Sequence, residues 1–297
     1  MQDTAQALAT VVADLNGAAE AIWLATQSFC PALSLEVLPQ CASTNTVLMD
    51  RGRQGDTQTT LVVAAEQTAG RGRRGRQWLA HPGQTLTFSL GIALNLDQVP
   101  GGGSALSLAV GLAVADALDA GMASFASATG LAPHRPMGLK WPNDLWIGGR
   151  KLGGILIEAC PAPGLPSSQR WVVIGIGLNV QGTPSAPEAT SLIRPDQAAL
   201  TIGQVWQWVA PTLIRRVQAF ERHGFAPLQE AYARRDVLLG QQIGLWSTPG
   251  QSPGDGYPPN QIGLAQGVDT FGALVVHTDQ GQQTWSSGDV SVRPRPN

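Results

Sequence analysis

A run of four arginines and three glycines contains residue types that could hold an anion. It reads E-Q-T-A-G-R-G-R-R-G-R-Q-W from Glu66 to Trp78 and follows an apolar segment, Leu61 to Ala65. Glycine lets successive N–H groups turn inward on a bound group, and each guanidinium fits phosphate or carboxylate with two hydrogen bonds. The run therefore indicates an anion-binding loop. Alone, it leaves open a solvated flexible turn and a segment that binds nucleic acid.

The two lysines of the chain form a second group with chemical potential. Lys140 is followed by W-P-N-D, Lys151 lies shortly beyond in G-R-K-L-G-G-I-L-I-E, and arginine supplies every other basic residue. A segment that retains lysine in such a chain favours a site that needs a compact, flexible ammonium. Ordinary hairpin chemistry explains Pro142, Asn143 and Asp144, but it does not explain the lysines.

Two further motifs carry polar groups at the ends of apolar segments. Ser43-Thr44-Asn45 precedes Val47, Leu48 and Met49. Such a motif predicts a helix N-cap first, although the same hydroxyls could hold a polar ligand. The run W-V-V-I-G-I-G-L-N-V, 171–180, predicts a buried strand whose glycines mark close approach of a ligand or of another chain segment. Asn179 is either a turn residue there or faces a pocket.

The elements that must position these groups include both helices and strands. Helical spacing covers residues 4–29, about 105–120, 202–220 and about 228–234, and we expect a loop over 121–137. The predicted strands are 60–66, 84–94, 138–141, a short strand after the Pro-Asn-Asp turn, a long strand to Glu158, and 171–180. Beyond a boundary near Asp236, short apolar pieces between turn signals indicate a small all-β barrel.

Composition excludes several classes of protein. With 297 residues, 43% hydrophobic and 13% charged, the chain is globular and large enough for one good core plus a smaller domain. A net charge of −2 argues against general nucleic-acid binding. The widely spaced Cys30, Cys41 and Cys160 favour reduced thiols, and no His/Cys cluster has zinc-ligand spacing.

The termini and apolar windows lead us to expect a cytoplasmic protein with no membrane attachment. Asp3 and Asp14 stand where a signal peptide would be basic or apolar. The window Leu106 to Leu118 is interrupted by Asp116 and is too short to span a bilayer.

Five separated motifs, taken in order, resemble biotin protein ligases. They are S-T-N, E-Q-T-A-G-R-G-R-R-G-R-x-W, K-W-P-N-D, G-R-K-L-G-G-I-L-I-E and G-I-G-L-N, followed by a C-terminal G-V-D…G-A-L…S-G-D-V-S-V-R. The resemblance covers roughly residues 36 to 297. Members that also repress transcription carry a winged helix, for which the leader lacks room, so the chain resembles the monofunctional type and we expect no DNA binding. Cys41-Ala42 also stands where the family often has an acidic residue.

The resemblance implies an α+β fold: a mixed central sheet flanked by helices, like class II synthetases, with a small C-terminal SH3-like β-barrel. The implied organisation is an N-terminal helical extension over 1–35, a catalytic domain that binds biotin and ATP over 36–235, and the SH3-like domain over 236–297.

The resemblance also implies a two-step reaction. The biotin carboxylate attacks the α-phosphate of ATP, giving biotinyl-5′-AMP and pyrophosphate, and a lysine of the biotin carboxyl carrier protein of acetyl-CoA carboxylase then displaces AMP. Mg²⁺ is expected with the triphosphate, held largely by substrate oxygens and water. A sheet edge that could pair leaves a homodimer open.

Site roles carry over from the family residue by residue. Lys151, Arg73 and Asp144 are the implied catalytic residues, with Asp144 orienting or deprotonating the acceptor lysine. The implied biotin contacts are Ser43, Thr44, Asn45, Gln67, Gly70, Arg71, Gly72, Arg73, Lys151, Gly154 and Gly175. The implied ATP and adenylate contacts are Arg71, Arg73, Arg74, Arg76, Trp78, Lys140, Asn143, Lys151 and Asn179.

Two alternative functions remain. A lipoate or octanoyl ligase or transferase shares the architecture, but the complete R-G-R-R-G-R run and K-W-P-N-D favour biotin. The chain could instead be a nucleic-acid-binding module that uses the Arg/Gly run. Its binding to RNA or DNA would then weaken steeply with salt concentration, and it would not turn over ATP.

Overall fold

The computed structural model describes residues 2–132, 135–182, 184, 186, 188–194, 197, 200–247, 256–286 and 290–294. The helices are α1 (Gln2–Thr26), α2 (Thr44–Arg53), α3 (Leu106–Thr129), α4 (Ile202–His223) and α5 (Gln229–Ala233). The strands of the first sheet are β1 (Ser34–Cys41), β2 (Thr60–Gln67), β3 (Thr85–Leu94), β4 (Gly138–Lys140), β5 (Asp144–Ile147), β6 (Arg150–Cys160) and β7 (Arg170–Asn179). Those of the second are β8 (Gln242–Trp246), β9 (Gln261–Val268), β10 (Leu274–Thr278), β11 (Gly281–Trp285) and β12 (Ser291–Pro294).

The first sheet is mixed. Its strand order is β1-β2-β3-β7-β6-β5-β4, and β1 runs parallel to β2 while the other neighbours are antiparallel. Strand β7, which contains the apolar run, lies at the centre, as its near-continuous hydrophobicity predicts. Pro39 falls in β1, at an edge, where the missing N–H donor costs no ladder bond. The predicted mixed α+β architecture is confirmed.

Helices cover both faces of this sheet. Helices α1, α3 and α4 pack together, and the main core lies between them and the sheet. Helix α2 lies on the opposite face, where Leu48 and Met49 pack against Val62, Trp171 and Val173 in a smaller cluster. Because residues of a strand alternate between faces, the α2 face of β7 carries Trp171, Val173 and then the two glycines.

Helix α3 is longer than predicted. Residues 121–129, which we expected to be a loop, continue the helix because Met122 and Ala126 extend its buried stripe. Two helical stretches, Ala5–Thr26 and Gly103–Thr129, are long and apolar enough to cross a bilayer by length and composition alone, contrary to our reading of the sequence. Of the most apolar window in each, 17% and 72% respectively is buried in the fold. The second is therefore a core helix.

The second sheet follows the segment 235–237, which pairs with β4. The Leu139 N–H donates to the Arg235 carbonyl (2.7 Å), and the Val237 N–H donates to the Leu139 carbonyl (3.0 Å). The sheet is antiparallel in the order β11-β10-β9-β8-β12, which agrees with the predicted SH3-like domain. The S-G-D part of its motif, 287–289, lies outside the described residues. The turn between β9 and β10 docks on the first domain, where Trp141 Nε1 donates to the Gly272 carbonyl (3.1 Å).

Candidate active site

A cavity of about 330 Å³ lies on the α2 face of the first sheet and reaches β12 of the second. The predicted site residues that line it are Ser43, Thr44, Asn45, Gln67, Arg71, Gly72, Arg73, Arg74, Arg76, Trp78, Lys140, Asn143, Asp144, Lys151, Gly154, Gly175 and Asn179. Gly70 lies behind the wall instead. Its carbonyl accepts from the Trp78 N–H (2.9 Å), and a Cβ on Gly70 would lie 2.4 Å from the Trp78 carbonyl oxygen. Gly70 thus closes the base of the Arg/Gly loop.

The floor of the cavity is made by the glycines of β7. A Cβ on Gly175 would lie 2.1 Å from Asn45 Oδ1, and one on Gly177 would lie 2.4 Å from the Trp78 indole. Each glycine therefore admits a side chain from another element. The space above Gly175 is filled by Asn45, and the implied contact of Gly175 with biotin stays a prediction. Gly154, whose Cβ would meet Lys151 Nζ only at 3.5 Å, leaves room.

A chain of hydrogen bonds fixes the polar groups at one end of the cavity. Ser89 Oγ donates to Asn45 Oδ1 (2.6 Å), and Thr44 Oγ1 lies 2.7 Å from Ser89 Oγ. Because Ser89 has a single proton, Thr44 donates in the second bond, and Gln67 Oε1, 3.2 Å from Thr44 Oγ1, competes for the same hydroxyl proton. Gln67 Oε1 accepts from the Thr44 N–H (2.7 Å), which leaves the Gln67 amide group as a donor. These residues are buried or half-buried. They form what we call the ring pocket: Ser43, Thr44, Asn45, Gln67 and Ser89.

The amide of Asn45 is committed to protein partners. Its Nδ2 donates to Glu158 Oε2 (3.0 Å) and to the Leu156 carbonyl (3.3 Å). Both amide protons are thereby used, and only the remaining lone pair of Oδ1 is available to a ligand. Asn45 can therefore accept from a bound N–H group but cannot donate to a bound carbonyl.

Ser43 occupies the N-cap position of α2 without acting through its side chain. Its backbone is extended (φ −159°, ψ 134°), and its side chain makes no cap hydrogen bond. It is only 3% exposed and lines the cavity. The predicted N-cap position is confirmed, but the Ser43 hydroxyl does not cap the helix.

The Arg/Gly loop is a small hairpin with defined geometry. The Gly72 N–H donates to the Arg76 carbonyl (2.7 Å), and the backbones of Arg71 and Gln77 form an isolated antiparallel β-bridge. Arg74 has φ 58° and ψ 37°, the left-handed conformation that costs a non-glycine residue roughly 1–2 kcal/mol. Arg73 Nη1 donates to Asn143 Oδ1 (3.1 Å), which ties the loop to the turn between β4 and β5.

Both lysines converge on one carboxylate. Lys151 Nζ lies 2.6 Å from Asp144 Oδ1, and Lys140 Nζ lies 3.8 Å from Asp144 Oδ2. Burial alone would raise the pKa of Asp144, but the charges of Lys151 and Lys140 outweigh it and lower the pKa. Lys140 is 5% exposed, and burial lowers its pKa from 10.5 to about 8, although Asp144 opposes the shift. Asp144 therefore stays ionised and is a weak proton acceptor.

The backbone of Lys151 is held by a segment distant in sequence. Its N–H donates to the Glu188 carbonyl (2.8 Å), and its carbonyl accepts from the Thr190 N–H (2.8 Å). Asn179 Nδ2 donates to the Thr190 carbonyl (3.1 Å), so Asn179 anchors the same segment from the end of β7. Lys151 Nζ also lies 5.9 Å from the centre of the Trp78 ring, which borders the cavity.

Sequence reasoning missed four residues of this region: Ser89, Glu158, Gly177 and Arg293. Ser89 lies outside the quoted motifs and could be found only from strand register, which aligns it with Gly175 on β3 and β7. Glu158 ends the motif G-R-K-L-G-G-I-L-I-E, but its role depends on the same register. Gly177 lies in a motif we singled out. Arg293, from β12, lines the cavity, and its charge adds to the lowering of the Lys140 and Asp144 pKa values.

The fold and the cavity define a class of enzyme. A pocket of fixed polar groups opens beside lysine and arginine side chains, an arrangement that suits a polar ligand held against an anion such as a phosphate. Among the described residues no group of three or more His, Cys, Asp or Glu side chains could hold a metal ion. Comparison with known proteins names the family.

The chain matches the biotin/lipoate A/B protein ligase family over residues 37–179 and the biotin protein ligase C-terminal domain over residues 260–293. It is 33% identical over 262 residues to the biotin–[acetyl-CoA-carboxylase] ligase of Mycobacterium tuberculosis, which covers 86% of this chain and 88% of that protein. It is 30% identical over 274 residues to the bifunctional ligase/repressor BirA of Escherichia coli, covering 88% and 74% respectively. The structure of the Aquifex aeolicus biotin protein ligase in complex with biotin and ATP matches with a TM-score of 0.64 at 26% identity, covering 88% of this chain and 99% of that one. The chain belongs to the biotin protein ligase family.

Proposed function

We propose that the protein activates biotin with ATP to biotinyl-5′-AMP and transfers biotin to a lysine of the biotin carboxyl carrier protein of acetyl-CoA carboxylase. The ring pocket is the observation that favours biotin over lipoate or octanoate as the acid. The ureido ring of biotin presents N–H donors and a carbonyl acceptor, which must find partners when they are buried. Asn45 Oδ1 and the Thr44 hydroxyl oxygen can accept, while the Gln67 amide group can donate. The dithiolane ring of lipoate and the chain of octanoate offer no such groups.

The cations serve the first step. We assign Lys151 to the junction between the biotin carboxylate and the α-phosphate, because its ammonium lies beside the ring pocket and next to Trp78. Arg73, Arg74, Arg76 and Lys140 stabilise the charge that develops on the phosphates as pyrophosphate leaves. Mg²⁺ enters as part of MgATP, since Asp144 is already shared by two lysines. Trp78 stacks on adenine, and Asn179 contacts the adenylate.

We assign Asp144 an orienting role and not that of a general base. Its lowered pKa makes it a poor base, so the acceptor lysine loses its proton elsewhere before it attacks the acyl carbon and AMP departs. Asp144 instead pairs with both ammonium groups and orients them. We place the enzyme in the cytoplasm with the carrier protein as partner. That the protein can form a homodimer, and that it does not bind DNA, are predictions.

The deciding experiment supplies labelled biotin, MgATP and a carrier domain to the purified full chain. We expect label on one carrier lysine and pyrophosphate release that requires biotin. The matched control replaces biotin with lipoate or octanoate at equal concentration. Label transfer from these acids at a rate equal to or above that of biotin would contradict the proposal and favour the related lipoyl or octanoyl activity.

A further inference from the structure

Glu158 lies outside the residues that line the cavity, yet it touches two of them. Its carboxylate accepts from Arg71 in a bidentate pair, Nη2 to Oε1 at 2.8 Å and Nη1 to Oε2 at 3.1 Å. The same Oε2 accepts from Asn45 Nδ2 at 3.0 Å. One carboxylate therefore joins the Arg/Gly loop, β6 and the first turn of α2.

We propose that Glu158 is a positioning residue that couples the placement of the Arg/Gly loop to the direction of the hydrogen bonds in the ring pocket. This inference rests on the proposed function, because it concerns how biotin and its adenylate are retained. Glu158 fixes the Asn45 amide with its oxygen toward Ser89, and the chain continues through Ser89 to Thr44. The same carboxylate holds the planar guanidinium of Arg71 across the loop base.

The pair differs from an ordinary surface ion pair in its consequences. Glu158 is 21% exposed and Arg71 47%, so their attraction alone is partly screened by solvent. Asn45, however, is buried, and without the carboxylate its amide would keep only the Leu156 carbonyl at 3.3 Å. Because loop and pocket share one acceptor, order in either stabilises order in the other, and this coupling is reciprocal.

The arrangement also assigns Arg71 a different task from Arg73. The charge of Arg71 is matched by Glu158, and we call this pair the latch. Arg71 therefore does not belong with Arg73, Arg74, Arg76 and Lys140, the cations that we assign to the phosphates. Removal of either latch residue should therefore weaken retention of biotin and of its adenylate, and leave the use of ATP nearly unchanged.

The test compares Glu158→Gln, Arg71→Ala and the double variant in the full chain. We expect each single variant to raise KM for biotin and the release rate of biotinyl-5′-AMP by roughly three- to tenfold, with KM for ATP within about twofold of wild type. The double variant should be no worse than the more affected single variant, because both changes break one unit. Biotin KM is measured from pyrophosphate release, and adenylate release from a chase after a single turnover.

Glu36→Gln is the matched control, since Glu36 forms a 2.6 Å ion pair with Arg51 at similar partial exposure, 35% and 32%. It should leave biotin KM and adenylate release unchanged. Wild-type values in Glu158→Gln, fully additive effects in the double variant, or a rise in ATP KM equal to that in biotin KM would each overturn the inference. Failure of the wild-type chain to release pyrophosphate with biotin and ATP would refute the proposed function instead.

Discussion

The chemistry of the site depends on how one carboxylate is shared. Asp144 lies between the ammonium groups of Lys151 and Lys140, at 2.6 and 3.8 Å, and is itself half-buried. Two cations near one anion leave a net positive charge in a poorly solvated place. That charge suits a phosphate. It also makes the charge state of each lysine depend on Asp144 and on the other lysine.

Lys151→Ala should reduce biotin-dependent pyrophosphate release by at least about 100-fold, the usual cost of removing one preorganised charge at a reacting centre. Circular dichroism should show a folded protein, because Lys151 is partly exposed, with 30% of its side chain accessible. Lys151→Arg is the control that keeps the charge but not the compact ammonium. Near-normal pyrophosphate release in Lys151→Ala would contradict the assigned role.

The depressed pKa of Lys140 predicts a pH limit for the first step. Burial lowers the pKa to about 8, so the ammonium that we assign to the phosphates is lost as the pH rises through that value. The kcat/KM for ATP in pyrophosphate release, measured without carrier protein so that acceptor deprotonation does not enter, reports the free enzyme and should fall on the alkaline side with a midpoint near pH 8. Lys140→Met lacks the cation at every pH and should be slow, with that alkaline limb absent.

Protein stability provides an independent check on the pKa of Lys140, because stability and the first-step rate should change in opposite directions as the pH rises. The folded pKa lies below the ordinary value of 10.5, so between about pH 8 and 10.5 the unfolded chain binds more protons at this position. The contribution of Lys140 to the free energy of unfolding therefore becomes more favourable as pH rises. The free energy of unfolding of wild type minus that of Lys140→Met should increase from pH 8 to 9.5. Over the same range the first-step rate of wild type should decrease. A parallel decrease in both quantities would indicate denaturation and not titration of Lys140.

At the scale of elements, two helix N-termini make contrasting use of a hydroxyl residue. Thr201 caps α4 through a complete capping box, in which its side chain accepts from the Gln204 N–H. Ser43 holds the corresponding position of α2 with no such bond. The first hydroxyl stabilises its helix, whereas the second is free to serve the cavity.

Ser43→Ala should therefore change the free energy of unfolding by less than about 0.5 kcal/mol, and it should raise KM for biotin severalfold through loss of one hydrogen bond. Thr201→Ala is the matched control. It should lose about 1 kcal/mol of stability with biotin KM unchanged. Chemical denaturation and pyrophosphate-release kinetics measure both. If Ser43→Ala lowers only stability, its hydroxyl is a structural cap.

Local sequence patterns predicted most elements because their periodicity reflects burial directly. The strand 171–180 and the hairpin around Pro142 were accessible in this way. Ser89 and Glu158 were not, since they reach the ring pocket only through the register of β3, β7 and β6, which pairs Ser89 with Gly175 and Gly175 with Leu156. Register depends on side-chain packing between strands that are far apart in sequence. The length of α3 was missed because Gly121, two serines and Thr129, which are weak helix formers, interrupt the alanines of its last turns.

At the scale of the whole molecule, the small C-terminal sheet completes the cavity. Strand β12 places Val290 to Arg293 in the cavity wall, and the β9–β10 turn is fixed to the first domain by Trp141. Short apolar pieces predicted a β-barrel there, but they carried no information on where it docks. Docking positions a cation from the end of the chain beside residues near its middle.

Arg293 should consequently influence the pH limit set by Lys140. Its positive charge lowers the pKa of Lys140, so Arg293→Ala should raise that pKa and move the alkaline limb of pyrophosphate release to higher pH. The same variant should raise KM for ATP, because one of the cations lining the cavity is lost. Arg234→Ala is the control, since Arg234 pairs with Glu230 and is 65% exposed. An alkaline limb that stays in place in Arg293→Ala would show that the second sheet does not act electrostatically on the site. A shift toward lower pH would contradict the assigned geometry itself, because removal of a neighbouring cation can only make protonation of Lys140 easier.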